Sequence, residues 1–231
     1  MEPLVSVVIP TFNGQKYIRE TLDSVLRQTY GALEVIVVDD GSTDSTAETV
    51  AAYGSQVRLI RQDQRGHPAA RNRGISVATG DFLSFVDHDD LWLPAKTELQ
   101  LECFQSDPEL DLVFGHIQNF LTPEMTEEER RRIAALMHPL PGLLQGAMLA
   151  RRTSFDRVGP FSEEREMGDY LDWHGRAMVL ELRTHMQSVT VLRRRIHATN
   201  HQRTHKHLRQ HQYLSAVKQL LDRRRSAAAK E

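Results

Sequence analysis

Residues Leu33 to Gly54 read "LEVIVVDDGSTDSTAETVAAYG", and this stretch decides the fold. Leu33 to Val38 is apolar except for Glu34, with no polar–apolar alternation. A strand of that kind is covered on both faces, as in a parallel sheet with helices packed against it. The acids Asp39 and Asp40 and then Gly41 close the strand. Ser45 and Glu48 stand at capping-box spacing, and Gly54 follows the end of the helical pattern.

The same alternation continues on both sides. Upstream, "LVSVVIP" reads as a strand, and residues 15–28 carry Ile18, Leu22, Val25 and Leu26 on one helical face. Downstream come a strand "VRLIRQ", a helix "PAARNRGISVATG", a strand "FLSFVD", a helix from Pro94 to about Phe104 and a strand "LDLVFG". This order predicts an α/β fold with a mostly parallel sheet flanked by helices. The second half is less regular. A charged helix lies in "PEMTEEERRRIAALMHPLPG", a strand runs into a short helix in "LLQGAMLARRTSFDRVGPF", residues 169–182 read as a helix and "SVTVLRRRIH" as a strand. From about Thr204 to Arg225 a basic amphipathic helix is expected, with Leu214, Val217 and Leu221 on one side.

Composition narrows the class. The chain has 231 residues, 40% hydrophobic and 26% charged, enough for a globular core. No apolar run approaches the roughly 20 residues of a membrane span. "LVSVVIP" is too short for a signal-peptide core and lacks a basic leader, and the single cysteine, Cys103, rules out an internal disulfide. A cytoplasmic location is therefore expected. Residues 1–192 hold 18 Lys plus Arg against 29 acids, whereas residues 193–231 hold 11 against 2. This acidic body with a basic tail predicts no nucleic-acid partner, and either a helix packed through Leu214, Val217 and Leu221 on the acidic body or peripheral contact with an anionic membrane face.

In an open α/β sheet, ligands bind at the carboxyl ends of the strands. Three polar clusters fall there: "PTFNG" after the first strand, "DDGSTD" after the second and "DHDD" after the fourth. Each alone reads equally as a turn or a helix cap. The last places Asp87, Asp89 and Asp90 at the end of a buried strand. Such a concentration of charge calls for a counter-ion.

In order and spacing, "VSVVIPTFNG", "VIVVDDGSTD", "ARNRGI…ATGDFLSFVDHDD", "GAMLARRTSFDRVGPF" and "RRRIHATN" resemble the family 2 glycosyltransferases over most of residues 4–200. The resemblance implies a GT-A (Rossmann-like) fold: residues 1–116 as the nucleotide-sugar half, 117–200 as the acceptor half of the same domain, and 201–231 as a basic helical tail. It implies transfer, with inversion, of a sugar from a UDP-linked or similar donor to a carbohydrate, lipid-linked or protein acceptor. Pro10, Thr11, Phe12 and Asn13 match the segment that cradles the base, and Asp39 the acceptor for the uracil N–H. Asp87 and Asp89 match the DxD motif that holds Mn²⁺ or Mg²⁺, with His88 beside the donor. Hard carboxylate oxygens suit such ions. Arg71 and Asn72 match the "ARN" stretch. Arg71 either meets phosphate or pairs with an acid of its surroundings. His197 is a third metal ligand, a contact to the diphosphate, or a histidine hydrogen-bonded at a strand end.

The general base of this family usually sits in a Glu-Asp pair at a helix start. Here "EMGDYLDWHGRA" lacks the Glu, which leaves both Asp169 and Asp172 as candidates, with Asp169 also placed to act as a cap. That departure keeps open a non-catalytic module that only binds nucleotide sugar. A nucleotidyltransferase would require a basic, glycine-rich loop after the first strand, which "PTFNGQKYI" lacks. A phosphoacceptor receiver domain would not account for the second half.

Overall fold

The structure, a computed structural model, describes residues 2–134, 137–164 and 168–197. The expected basic helix from Thr204 to Arg225 lies outside the described residues. In chain order the elements are β1 (Val5–Thr11), α1 (Ile18–Leu26), β2 (Leu33–Asp39), α2 (Thr46–Ala51), β3 (Arg58–Arg61), α3 (His67–Val77), β4 (Phe82–Phe85), β5 (Leu91–Trp92) and α4 (Lys96–Ser106). There follow β6 (Leu112–Leu121), α5 (Glu127–Ile133), β7 (Leu140–Pro141), β8 (Met148–Arg151), α6 (Arg152–Val158), α7 (Asp169–Val179) and β9 (Thr184–Ile196).

The strands form one sheet in the order β3-β2-β1-β4-β8-β6-β9-β5, with β7 paired to β6. β1 is central in the first half, parallel to β2 and to β4, and every one of its residues is buried. Its alternate residues serve two cores, Val7 and Ile9 on one face and Val8 on the other. This two-sided burial is why the strand sequences are continuously apolar. α3 reaches β1 closely because residue 74 is glycine: a Cβ there would run into Val8.

Two local expectations change. The Ser45–Glu48 capping box does not form; Asp44 Oδ1 accepts from Thr46 N at 3.0 Å instead. A capping box does open α5, where Glu129 N donates to Thr126 Oγ1 at 3.3 Å and Thr126 N to Glu129 Oε2 at 3.0 Å. The helix expected from Pro94 starts at Lys96, because Pro94 and Ala95 form a turn after β5 in which Lys96 N donates to the Leu93 carbonyl at 3.1 Å.

The second half joins the same sheet. β8 lies between β4 and β6, antiparallel to both. β9 runs parallel to β6 with register shifts near His116, then pairs through Leu192 and Arg193 with Trp92 and Leu91 of β5. That last pairing lays the end of β9 beside the "DHDD" turn. Trp173 of α7 is fully buried and stacks on Phe155 at 4.8 Å, so it is core. Cys103 is half-buried against the other core. Among the described residues no helix is long and apolar enough to cross a membrane.

Candidate active site

The register Thr11↔Asp39 aligns the carboxyl ends of β1 and β2, and Val8↔Phe85 brings β4 alongside. The loops that follow interlock. Asn13 adopts φ 48°, a left-handed conformation that Asn tolerates better than most residues. Its N–H donates to Ser42 Oγ at 2.9 Å, and its Oδ1 accepts from Thr43 N at 2.9 Å. Pro10 is buried within β1, and Phe12 is half-buried just beyond it. The Asp39 carboxylate is buried and accepts from Ser42 N at 3.0 Å and Arg61 Nε at 3.2 Å. Asp40 takes Gln62 Nε2 at 2.7 Å, Arg65 N at 2.9 Å and Gly66 N at 2.7 Å. It thus orders the approach to α3 and does not cap α2.

The counter-ion for the acids of the "DHDD" turn is in part the protein itself. Arg71, buried in α3, donates from Nη2 to Asp87 Oδ1 at 3.0 Å and from Nη1 to Asp169 Oδ2 at 2.7 Å. One guanidinium thereby joins a carboxylate of the "DHDD" turn to a candidate base at the start of α7. Burial raises the Asp169 carboxyl, Arg71 lowers it and Asp87 raises it, with a net upward shift. Asp172, the other candidate, accepts from Arg176 Nε at 3.1 Å. Arg176 in turn binds the carbonyls of Val158 and Pro160, so Asp172 braces the loop between α6 and α7. Asn72 likewise fastens that loop, donating to the Phe161 carbonyl at 2.9 Å and accepting from Phe161 N at 3.0 Å.

Asp89 faces His197: Nε2 to Oδ2 is 2.9 Å. Burial by itself would raise the Asp89 carboxyl, but the His197 hydrogen bond and the charges of His88 and His197 outweigh it and hold it at about 2. Asp90 behaves oppositely. Burial, then the charges of Asp89 and Asp87, push it well above the usual range. Sequence reasoning passed over Arg195, whose main chain and side chain both grip this turn. Its signal was the Arg-x-His spacing ahead of His197.

The fit to a divalent cation can be judged from these groups. Among the described residues no three His, Cys, Asp or Glu side chains form a ready-made metal set. Asp87 and Asp89 nevertheless supply hard oxygen donors, and a nucleotide ligand would supply more. Thr11 Oγ1 and His88 Nδ1, close by, are buried without a partner, and a Cβ at Gly14 would collide with Thr11 Oγ1 and the His88 ring. The residues present would therefore hold a cation only together with oxygen donors from a bound ligand. His197, expected as a possible ligand, is engaged with Asp89 and orients that carboxylate.

The family model described as Glycosyl transferase family 2 matches residues 6–159. This chain belongs to glycosyltransferase family 2. An uncharacterized glycosyltransferase of Rickettsia typhi is 32% identical over 183 residues, covering 74% of this chain and 58% of that protein. Glycosyltransferase GlyG of Streptococcus pneumoniae is 40% identical over 124 residues, 52% of this chain and 41% of that protein. The chain thus spans about three fifths or less of the family 2 relatives named here. The structure of S. aureus TarS 1–349 in complex with UDP-GlcNAc superposes with a TM-score of 0.75 at 21% identity, covering 95% of this chain and 66% of that one. The fold is accordingly GT-A.

Proposed function

We propose that this chain transfers a sugar from a nucleotide-diphosphate donor, UDP-linked, to an acceptor hydroxyl with inversion at the anomeric carbon. The observation that carries the reading is Arg71, which places Asp87 and Asp169 on either side of one buried cation at the ligand-binding edge of the sheet. The family and the UDP-GlcNAc complex of its structural neighbour support a sugar-nucleotide donor.

In this reading Asp39 accepts the N–H of uracil, and Thr11 with Phe12 flanks the base. Asp87 and Asp89 would hold Mn²⁺ or Mg²⁺, which would supply neutralisation of the charge that develops on the leaving diphosphate. Asp169 takes the proton of the acceptor hydroxyl as its oxygen bonds to the anomeric carbon and the nucleoside diphosphate departs with the electron pair. Asp169 is favoured over Asp172 because Asp172 is committed to Arg176. Arg71 favours the ionised form of Asp169 against the effect of burial and fixes its distance from Asp87. The acceptor is a carbohydrate, lipid-linked or protein hydroxyl, met by the second half of the chain.

The test is paired. Asp169→Asn lowers transfer by roughly 10²–10⁴-fold with UDP affinity within a few-fold of wild type, since a base acts on the acceptor. Asp172→Asn loses stability first. UDP affinity by calorimetry rises with Mn²⁺ over EDTA, and Asp89→Asn removes the difference. Full transfer by Asp169→Asn would overturn the assignment, and a wild-type chain that never releases nucleotide from UDP-sugars would make it a binding module.

A further inference from the structure

Arg195 sits at the end of β9, 6% exposed, and ties three separate pieces of the site together. Its main-chain N–H donates to Asp90 Oδ1 at 2.8 Å. Its Nε donates to the Asp89 carbonyl at 2.9 Å and its Nη2 to Glu20 Oε2 of α1 at 2.8 Å. The guanidinium carbon lies 4.4 Å from the Tyr17 ring centre and 4.7 Å from that of Phe120. Tyr17 in turn lies 4.8 Å from the His197 ring.

The turn is gripped from both sides. Thr21 Oγ1 of α1 lies 2.9 Å from the His88 carbonyl oxygen and 2.8 Å from that of Asp90, so its one O–H is shared between them. From the β9 side come Arg195 to the main chain of Asp89 and, two residues on, His197 to its carboxylate. An ion pair with Glu20 alone would require only charge. The observed set uses the planar fork of arginine, with two edges donating while the faces meet rings, and lysine cannot reproduce it.

We propose that Arg195 is a positioning residue for donor binding. It fixes the main chain at Asp89 so that the carboxylate, oriented by His197, is presented to the diphosphate and its cation. This inference rests on the reading of Asp89 as a donor-side ligand.

The experiment is a double-mutant cycle on the full chain, read as UDP affinity by calorimetry in Mn²⁺ without turnover. Arg195→Gln and Asp89→Asn each weaken UDP binding by about tenfold or more. The double variant binds within about twofold of Asp89→Asn, because Arg195 acts through Asp89. Phe104→Leu, a core change in α4, lowers the melting temperature and leaves UDP affinity at the wild-type level, which separates loss of placement from loss of stability. If Arg195→Gln binds UDP as wild type does, or loses as much again in the Asp89→Asn background, the proposal is overturned while the reading of Asp89 stands. If Asp89→Asn keeps wild-type affinity, the reading itself fails and the proposal goes with it.

Discussion

At Asp169 two influences oppose each other. Burial lifts its carboxyl above the ordinary value, and the Arg71 charge pulls it part of the way back. A base acts in its ionised form, so transfer falls as pH drops through the raised pKa. The acid limb of the pH–rate profile is therefore expected above the position set by an unperturbed aspartate at about 3.9. Arg71→Met removes the lowering influence and moves that limb to higher pH. Nucleotide release measured across pH at saturating donor checks both; a limb unmoved in Arg71→Met would take Asp169 out of the role. The sequence left Asp169 and Asp172 both as candidates, because the partner that distinguishes Asp169 is 98 residues away.

Among the elements, two joints set the geometry. Lys96 of α4 is buried, with Nζ donating to Ser84 Oγ at 2.9 Å and Gln100 Oε1 at 2.8 Å, 4.0 Å from the Trp92 ring centre. It fastens α4 beneath β4, the strand that carries the acid turn. Lys96→Ala leaves a cavity and an unpartnered Gln100 oxygen, and is expected to cost about 3 kcal/mol in urea unfolding. The other joint is Tyr53, whose hydroxyl donates to Asp23 Oδ1 at 2.7 Å and so ties the end of α2 to α1. Burial and then that hydrogen bond push its phenol up to about 12. The fold favours the protonated form, so the contribution is complete below the unfolded value of about 10 and is lost as pH rises through about 12. Tyr53→Phe should flatten the alkaline loss of stability between those values, as followed by melting temperature against pH.

For the whole molecule, the charge asymmetry carries its own expectation. Residues 193–231 hold 11 Lys plus Arg against 2 acids, and each basic residue near an anionic leaflet contributes roughly 1 kcal/mol of attraction. The full chain is expected to cosediment with vesicles of anionic lipid, less so at high salt, while a chain ending near Thr204 does not. Equal partitioning of the two would remove the tail from membrane contact.

The sequence by itself determined the class of fold and the sheet edge at which the candidate residues gather. The apolar runs Val7–Ile9 and Val35–Val38 fit strands buried on both faces, and Asp39 and Asp40, which close the second run, then lie at a strand end. These are local properties, readable from periodicity. Only the tertiary structure decided that β8 enters the sheet antiparallel between β4 and β6, and that β9 pairs with a two-residue β5. It alone made Asp169 rather than Asp172 the acid beside Arg71, and joined Arg195 to Glu20 across 175 residues. A strand's periodicity says which face is buried and nothing about which strand lies beside it. A charged residue's partner is likewise set by the path of the chain, which no short window of sequence contains.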